Sequence, residues 1–182
     1  GLIKNHKKMV TLDFKETNNI VIVIGKTEGH IDQSLFSRVI LDEKNGPPPE
    51  VNLFNEKNNG ESLLSLIDKN YIKSAHDISL GGLITALSKM CIKGNKGIKL
   101  KKIKNFLNDI EYFFAEDQGR YIIEISPEDL ENVSKILDKN SVYHEEIGII
   151  TDKDMIINEK TKVTIDELKS YNTNWLTNYM SS

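Results

Sequence analysis

Apolar and polar positions change period several times along the chain, and each change marks an expected element. Met9 to Phe14 alternates apolar and polar side chains, Thr17-Asn18-Asn19 reads as a turn, and Ile20 to Ile24 is β-branched throughout, so two early strands are expected. Ser34 is placed to cap a helix over Leu35 to Leu41, where Leu35, Phe36, Val39 and Ile40 share a face. Asn45-Gly46 and Pro47-Pro48-Pro49 then impose a loop, because proline fixes φ and lacks an N–H. Val51, Leu53 and Phe54, resuming as Leu63, Leu64, Leu66 and Ile67, predict one helix with a weak centre at Asn58-Asn59-Gly60.

Ile72 to Ile78 predicts a short strand that runs through Gly81-Gly82 into an apolar helix over Leu83, Ile84, Leu87 and Met90, ending near Gly94. Gly97 to Ile103 reads as a strand, Phe106 to Phe114 as a helix, and Gly119 to Ile125 as a strong strand. Ser126-Pro127-Glu128-Asp129 opens a helix with Ser as its cap, Pro in the first turn and acids at the positive end of the dipole. Val142 to Thr151 and Met155 to Ile165 predict the last two strands, and Ile165 to Tyr179 a closing helix. Strands and helices mix without strict βαβ alternation, so the expected class is α+β: a single layered α/β/α domain, residues 1–182, with a mixed sheet.

Composition narrows the functional classes. Hydrophobic residues make up 38% and charged residues 28%, the balance of a globular chain, and no apolar run reaches the ~18 residues of a membrane helix. A cytoplasmic location without membrane contact is expected. The net charge of −3, with both signs interspersed, gives no field to gather nucleic acid. The densest basic patch, Lys99, Lys101, Lys102 and Lys104, reads as a solvated strand edge. Cys91 has no internal disulfide partner, and the four histidines form no cluster at metal-ligand spacing, so a buried inert thiol and no metal site are expected. The chain opens on Gly1-Leu2-Ile3, inside an apolar segment, which reads as a piece of a longer polypeptide.

Three segments carry candidate chemistry. In Ser74-Ala75-His76-Asp77-Ile78-Ser79-Leu80-Gly81-Gly82-Leu83, a strand passes through glycines into a helix start, which turns backbone N–H groups toward one point and suits a phosphate. Tight strand-to-helix packing would require the same glycines. Glu116-Asp117-Gln118-Gly119-Arg120-Tyr121 offers an Arg able to clamp a phosphate, or else a polar turn in which Arg120 pairs with its own acids. Gly25-Lys26-Thr27-Glu28-Gly29, leading to Asp32-Gln33-Ser34, lacks P-loop spacing. The anion-site candidates are therefore His76, Asp77, Ser79, Gly81, Gly82 and Arg120, with no catalytic and no metal-ligating residue assigned.

Taken in order, His76-Asp77-Ile78-Ser79-Leu80-Gly81-Gly82-Leu83, Gly25 to Ser34, Gly46-Pro47-Pro48-Pro49, Glu116 to Tyr121 and the ending Trp175 to Met180 resemble the C-terminal domain of the aminoimidazole ribonucleotide synthase superfamily. Within it they are most similar to the synthetase component of phosphoribosylformylglycinamidine synthase. That resemblance implies a fourth domain of a longer chain that uses ATP and magnesium to amidate formylglycinamide ribonucleotide. Ammonia would come from a partner glutaminase, with small accessory subunits in the complex. The family's catalytic histidine, magnesium-binding acids and nucleotide motif all precede the region matched here, so this chain alone is expected to need no cofactor, and its glycine turn corresponds to a pseudo-site. Two positions depart from the family pattern: Leu80 stands where Asp is usual and Asp32 where Gly is common, the first removing a polar ligand and the second adding a carboxylate that repels phosphate. The alternatives are a kinase-like relative, such as thiamine-monophosphate kinase or selenophosphate synthetase, and a stand-alone phosphate-binding module.

Overall fold

The computed structural model describes residues 5–101 and 107–181. Its centre is a mixed sheet of strands β1 (Ile20–Ile24), β2 (Ile72–Ile78), β3 (Gly97–Leu100), β4 (Arg120–Ile125), β5 (His144–Thr151), β6 (Met155–Ile157) and β7 (Thr161–Val163). The order across the sheet is β2-β4-β1-β5-β3-β6-β7, antiparallel at every pairing except β3 with β6. The helices are α1 (Leu35–Val39), α2 (Leu53–Asp68), α3 (Gly82–Gly94), α4 (Asp109–Phe114), α5 (Leu130–Lys139) and α6 (Ile165–Ser181).

β1 shows why the layers stack as they do. All five of its residues are buried, because side chains alternate between two covered faces. Val21 and Val23 join α3 and α4 residues such as Leu83, Leu87, Met90 and Phe113 in one core. Ile20, Ile22 and Ile24 join Leu66 of α2 and Val133 and Leu137 of α5 in the other. The expected α+β domain with helices on both sheet faces is the one observed. Cys91 lies fully buried on α3, and desolvation pushes its thiol up to about 12, which leaves it a small hydrophobe at neutral pH.

Several local expectations are corrected. Met9 to Phe14 forms no strand: Thr11 makes a single parallel bridge to Ser74, and Phe14 turns inward to a buried position. Met155 to Ile165 is two short antiparallel strands, reversed at Asn158 and Glu159, which both adopt positive φ. Ser126 makes no side-chain cap bond, and a 3₁₀ turn over Pro127–Asp129 intervenes before α5. β3 is not a sheet edge but lies between β5 and β6, and Lys101 pairs with Glu146 at 2.5 Å. Lys102, Lys104, the expected strand end at Ile103, the expected helix start at Phe106 and the opening Gly1-Leu2-Ile3 lie outside the described residues.

Glu124 of β4 is fully buried between β1 and β2, and nothing in the local sequence marks it. Its two carboxylate oxygens accept from Lys15 N (2.9 Å), Glu16 N (3.0 Å), Asn19 Nδ2 (2.8 Å) and Ser74 Oγ (2.7 Å). A carboxylate withdrawn from water survives only with such a donor set, and here the donors come from the N-terminal segment and from β2. Glu124→Ala removes the acceptor for all four donors and should lower unfolding free energy by about 3 kcal/mol in urea titration; a change within experimental error would show that the donors find water instead.

The turn from β2 into α3 is equally constrained. Gly81 and Gly82 have φ of +85° and +69°, and a Cβ on Gly82 would lie 2.7 Å from the Phe113 carbonyl oxygen and 2.8 Å from that of Ala115. Both left-handed strain and backbone crowding therefore oppose a side chain. Gly82→Val should destabilise the domain by about 3 kcal/mol, read as a lowered thermal midpoint, and an unchanged midpoint would mean that the α4 backbone yields freely.

Candidate functional site

The glycine turn sits where three loops meet. α3 begins without a side-chain cap, and its capping residue Gly81 donates its N–H to Glu116 Oε1 at 2.8 Å. The same oxygen accepts from Leu35 N at 2.7 Å, the first residue of α1. One carboxylate oxygen thus bridges two helix N-termini, where unpaired N–H groups favour negative charge. The Gly82 N–H is used as well, donating to the Ser79 carbonyl at 3.0 Å. Both glycine donors that a phosphate would seek are engaged by the chain itself.

The neighbouring loop is organised in the same way. Asp117 Oδ2 accepts from Glu28 N (3.0 Å) and Gly29 N (3.1 Å), and Oδ1 accepts from His30 N (3.2 Å). Three consecutive amides wrap around one buried carboxylate, a nest of the kind that elsewhere holds an anion.

Arg120 occupies a different place from the one expected of a phosphate clamp. It is 1% exposed, and its Nε donates to the Asp117 carbonyl (3.2 Å), Nη1 to Thr27 Oγ1 (3.0 Å) and Nη2 to the Ala115 carbonyl (2.6 Å). Its Nη2 also lies 3.9 Å from the Asp117 carboxylate. Burial pulls its pKa down and the Asp117 charge opposes that shift; a guanidinium remains charged in either case. The polar-turn alternative describes this geometry, with Arg120 closing the loop from inside.

His76 and Asp77 face a second feature. They line an open groove of about 800 Å³ beside β2, with Val10, Thr11, Leu63 and Tyr121. His76 Nδ1 lies 3.0 Å from Asp77 Oδ1, and His76 Nε2 is buried without a hydrogen-bond partner. Burial works against the Asp77 carboxylate, but the Ser79 hydroxyl and the adjacent His76 outweigh it and hold its pKa below the usual range.

Of the six candidates, the structure gathers Ser79, Gly81 and Gly82 at the turn, links Asp77 and through it His76 to the turn by the Ser79 hydroxyl, and buries Arg120 behind the loop. The cavity at the turn is small, about 170 Å³, and is lined by Asp32, Gln33, Ser79, Leu80, Glu116 and Gln118 among others. It presents two carboxylates and no cationic side chain, a poor match for a nucleotide phosphate. Among the described residues, no group of three or more His, Cys, Asp and Glu side chains is placed to hold a metal ion. The sequence reading missed Glu116 as the occupant of the turn. The signal was present in Glu116-Asp117, two adjacent acids next to a buried strand with donors to find.

Comparison with known proteins matches this geometry to a family. Residues 16–158 match the model described as AIR synthase related protein, C-terminal domain. The phosphoribosylformylglycinamidine synthase subunit PurL of Pelagibacter ubique is 66% identical over all of this chain, which covers 25% of that relative. The same-named subunit of Caldanaerobacter subterraneus is 37% identical over 91% of this chain and is covered to 22%. The chain thus spans about a quarter of the length of these relatives. Among solved structures, Thermotoga maritima PurL complexed with FGAR superimposes with TM-score 0.72 at 16% identity, covering 90% of this chain and 30% of that one. Escherichia coli HypE, a hydrogenase maturation protein, superimposes with TM-score 0.58 at 14% identity over 85% of this chain and 51% of that one, so the fold is shared more widely than the activity. A two-faced mixed sheet whose second strand enters a helix through paired glycines, matched by the family model over most of its length, places this chain in the AIR synthase related protein C-terminal domain family.

Proposed function

We propose that this chain is the last domain of a phosphoribosylformylglycinamidine synthase subunit and that it supports the enzyme structurally without supplying a reacting group. The whole protein would use ATP and magnesium to convert formylglycinamide ribonucleotide and ammonia to the amidine, in the cytoplasm. Its partners would be its own preceding domains, a glutaminase and small accessory subunits. Identity to PurL relatives along the entire chain supports the enzyme assignment over a kinase-like relative. One solved relative is PurL complexed with ATP and another is PurLQS from Thermotoga maritima, which supports nucleotide use and a multi-subunit assembly for the family.

The observation that carries the structural role is the position of Glu116. A phosphoryl-transfer site needs donors and cations aimed at the transferred group. Here the Gly81 and Leu35 amides are committed to Glu116, the loop amides to Asp117, and the one nearby guanidinium to backbone carbonyls. ATP and magnesium would be held by residues outside this chain, and this domain would brace that site from the side.

Two measurements test this reading. The isolated chain, supplied with formylglycinamide ribonucleotide, ATP, magnesium and ammonia, should form no product above a protein-free control; measurable turnover would refute it. Phosphate or ADP at millimolar concentration should leave the Gly81 and Gly82 amide resonances of the wild type unmoved. Glu116→Ala should lose on the order of 1–3 kcal/mol of stability and gain phosphate-dependent shifts at Gly81 and Leu35, because two donors are then without an acceptor. Wild-type shifts at the two glycines would instead mean that an external anion displaces Glu116, and the turn would be a binding site.

A further inference from the structure

From Ser170 to Ser181 every residue of α6 is exposed. Tyr171, Trp175, Leu176 and Met180 are 81%, 62%, 53% and 76% exposed. The segment contains no charged residue in a chain that is 28% charged. Just before it, Lys169 Nζ donates to Asn95 Oδ1 at 2.5 Å.

Two features make this an interface rather than a solvated tail. First, Ile165, Leu168, Trp175 and Leu176 follow the spacing of one helix face, and Ile165 and Leu168 already pack on the core. The stripe that seats the first turn of α6 continues into Trp175 and Leu176, which stand exposed. Second, the segment is rich in Asn and Thr and has no i,i+4 ion pairs, so intrinsic propensity gives it little reason to stay helical in water. Exposed aromatics and Met with charge excluded form the compositional signature of an interface core.

We infer that residues 170–181 of α6 are the docking face for the preceding part of the same polypeptide. This inference rests on the reading of the chain as one domain of a longer synthase. The relatives' length says where such an occupant comes from: this chain covers 25% of the 66%-identical relative, which leaves three quarters of a polypeptide to be placed around it. The size of the face favours the same choice. Twelve helical residues span about 18 Å. A second copy of the helix would bury less than the ~800 Å² per partner of a stable interface between free proteins. A tethered domain docks through a smaller area, because the linkage raises its effective concentration to the order of millimolar. The face also lies outside residues 16–158, so it is an addition to the shared domain.

Trp175 is the only tryptophan of the chain, so 5-fluorotryptophan incorporation gives a single ¹⁹F resonance at this face. In the chain alone that resonance should show the solvent-isotope shift of an exposed indole and should not depend on protein concentration. Adding the preceding three quarters of the Pelagibacter ubique relative should move it and abolish the isotope shift. Trp175→Ala with Leu176→Ala should weaken this association by about tenfold or more, with the thermal midpoint of the isolated chain unchanged. Co-elution of the two pieces with an unmoved resonance would overturn the inference and leave the proposed function standing. A resonance that moves with the concentration of this chain alone would make the occupant a second copy, and one that moves only with a glutaminase subunit would make it a separate partner; either overturns the inference. Failure of the two pieces to associate at all would overturn the proposed function and the inference with it.

Discussion

A carboxylate taken out of water must be given hydrogen-bond donors, and in this domain that requirement fixes where the loops go. Glu116, Asp117 and Glu124 lie on or just before β4, the strand that pairs with both β1 and β2. Each collects donors from a distant part of the chain. Glu124 draws in residues 15, 16, 19 and 74, Asp117 draws in residues 28 to 30, and Glu116 ties residue 35 to residue 81. Leaving buried Asp117 or Glu124 unpaired would cost several kcal/mol, a large share of the stability of a domain this size, and half-buried Glu116 less. The loops are therefore held by hydrogen bonds from neutral donors to these carboxylates, while the two apolar layers set the sheet and helices.

Elements whose signal is local were legible in the sequence. Five β-branched residues in a row could be little else than a strand buried on both faces, and Gly81-Gly82 before an apolar run marked the start of α3. Elements that depend on partners were not. The alternation of Met9 to Phe14 is genuine, but a strand also needs a neighbour, and only Thr11 finds one. The break at Asn158-Glu159 was hidden because both residues adopt positive φ without the glycine that usually announces it.

The site divides along the same line. Its glycines were visible because their conformational requirement is local, whereas the occupant of the turn was not, since Glu116 lies 35 residues from Gly81 and only the folded sheet brings them together. Arg120 stayed open between two readings for a related reason. Next to two acids and a glycine, its sequence context fits an exposed clamp as well as a buried brace, and what decides between them is the loop of Thr27, 93 positions away. Spacing along a chain reports backbone geometry well and says little about which long-range polar pair will form.

An internal anion and a bound phosphate satisfy the same donors but differ in what they make the fold depend on. A domain whose turn is completed by a ligand gains RT ln(1 + [L]/Kd) of stability, so its order rises and falls with ligand concentration. Glu116 is covalently part of the chain and is present at a fixed effective concentration, so the bonds it makes at the junction of α1, α3 and the 115–120 turn do not depend on the concentration of any ligand. This arrangement also leaves the domain's unspent interaction energy on its apolar surfaces, since Val39, Ile40, Leu53, Phe54 and Trp175 all stand more than half exposed while the polar groups around the turn are satisfied. The donors of the turn are consumed in holding the fold, and the large apolar side chains left exposed offer a neighbour hydrophobic contact.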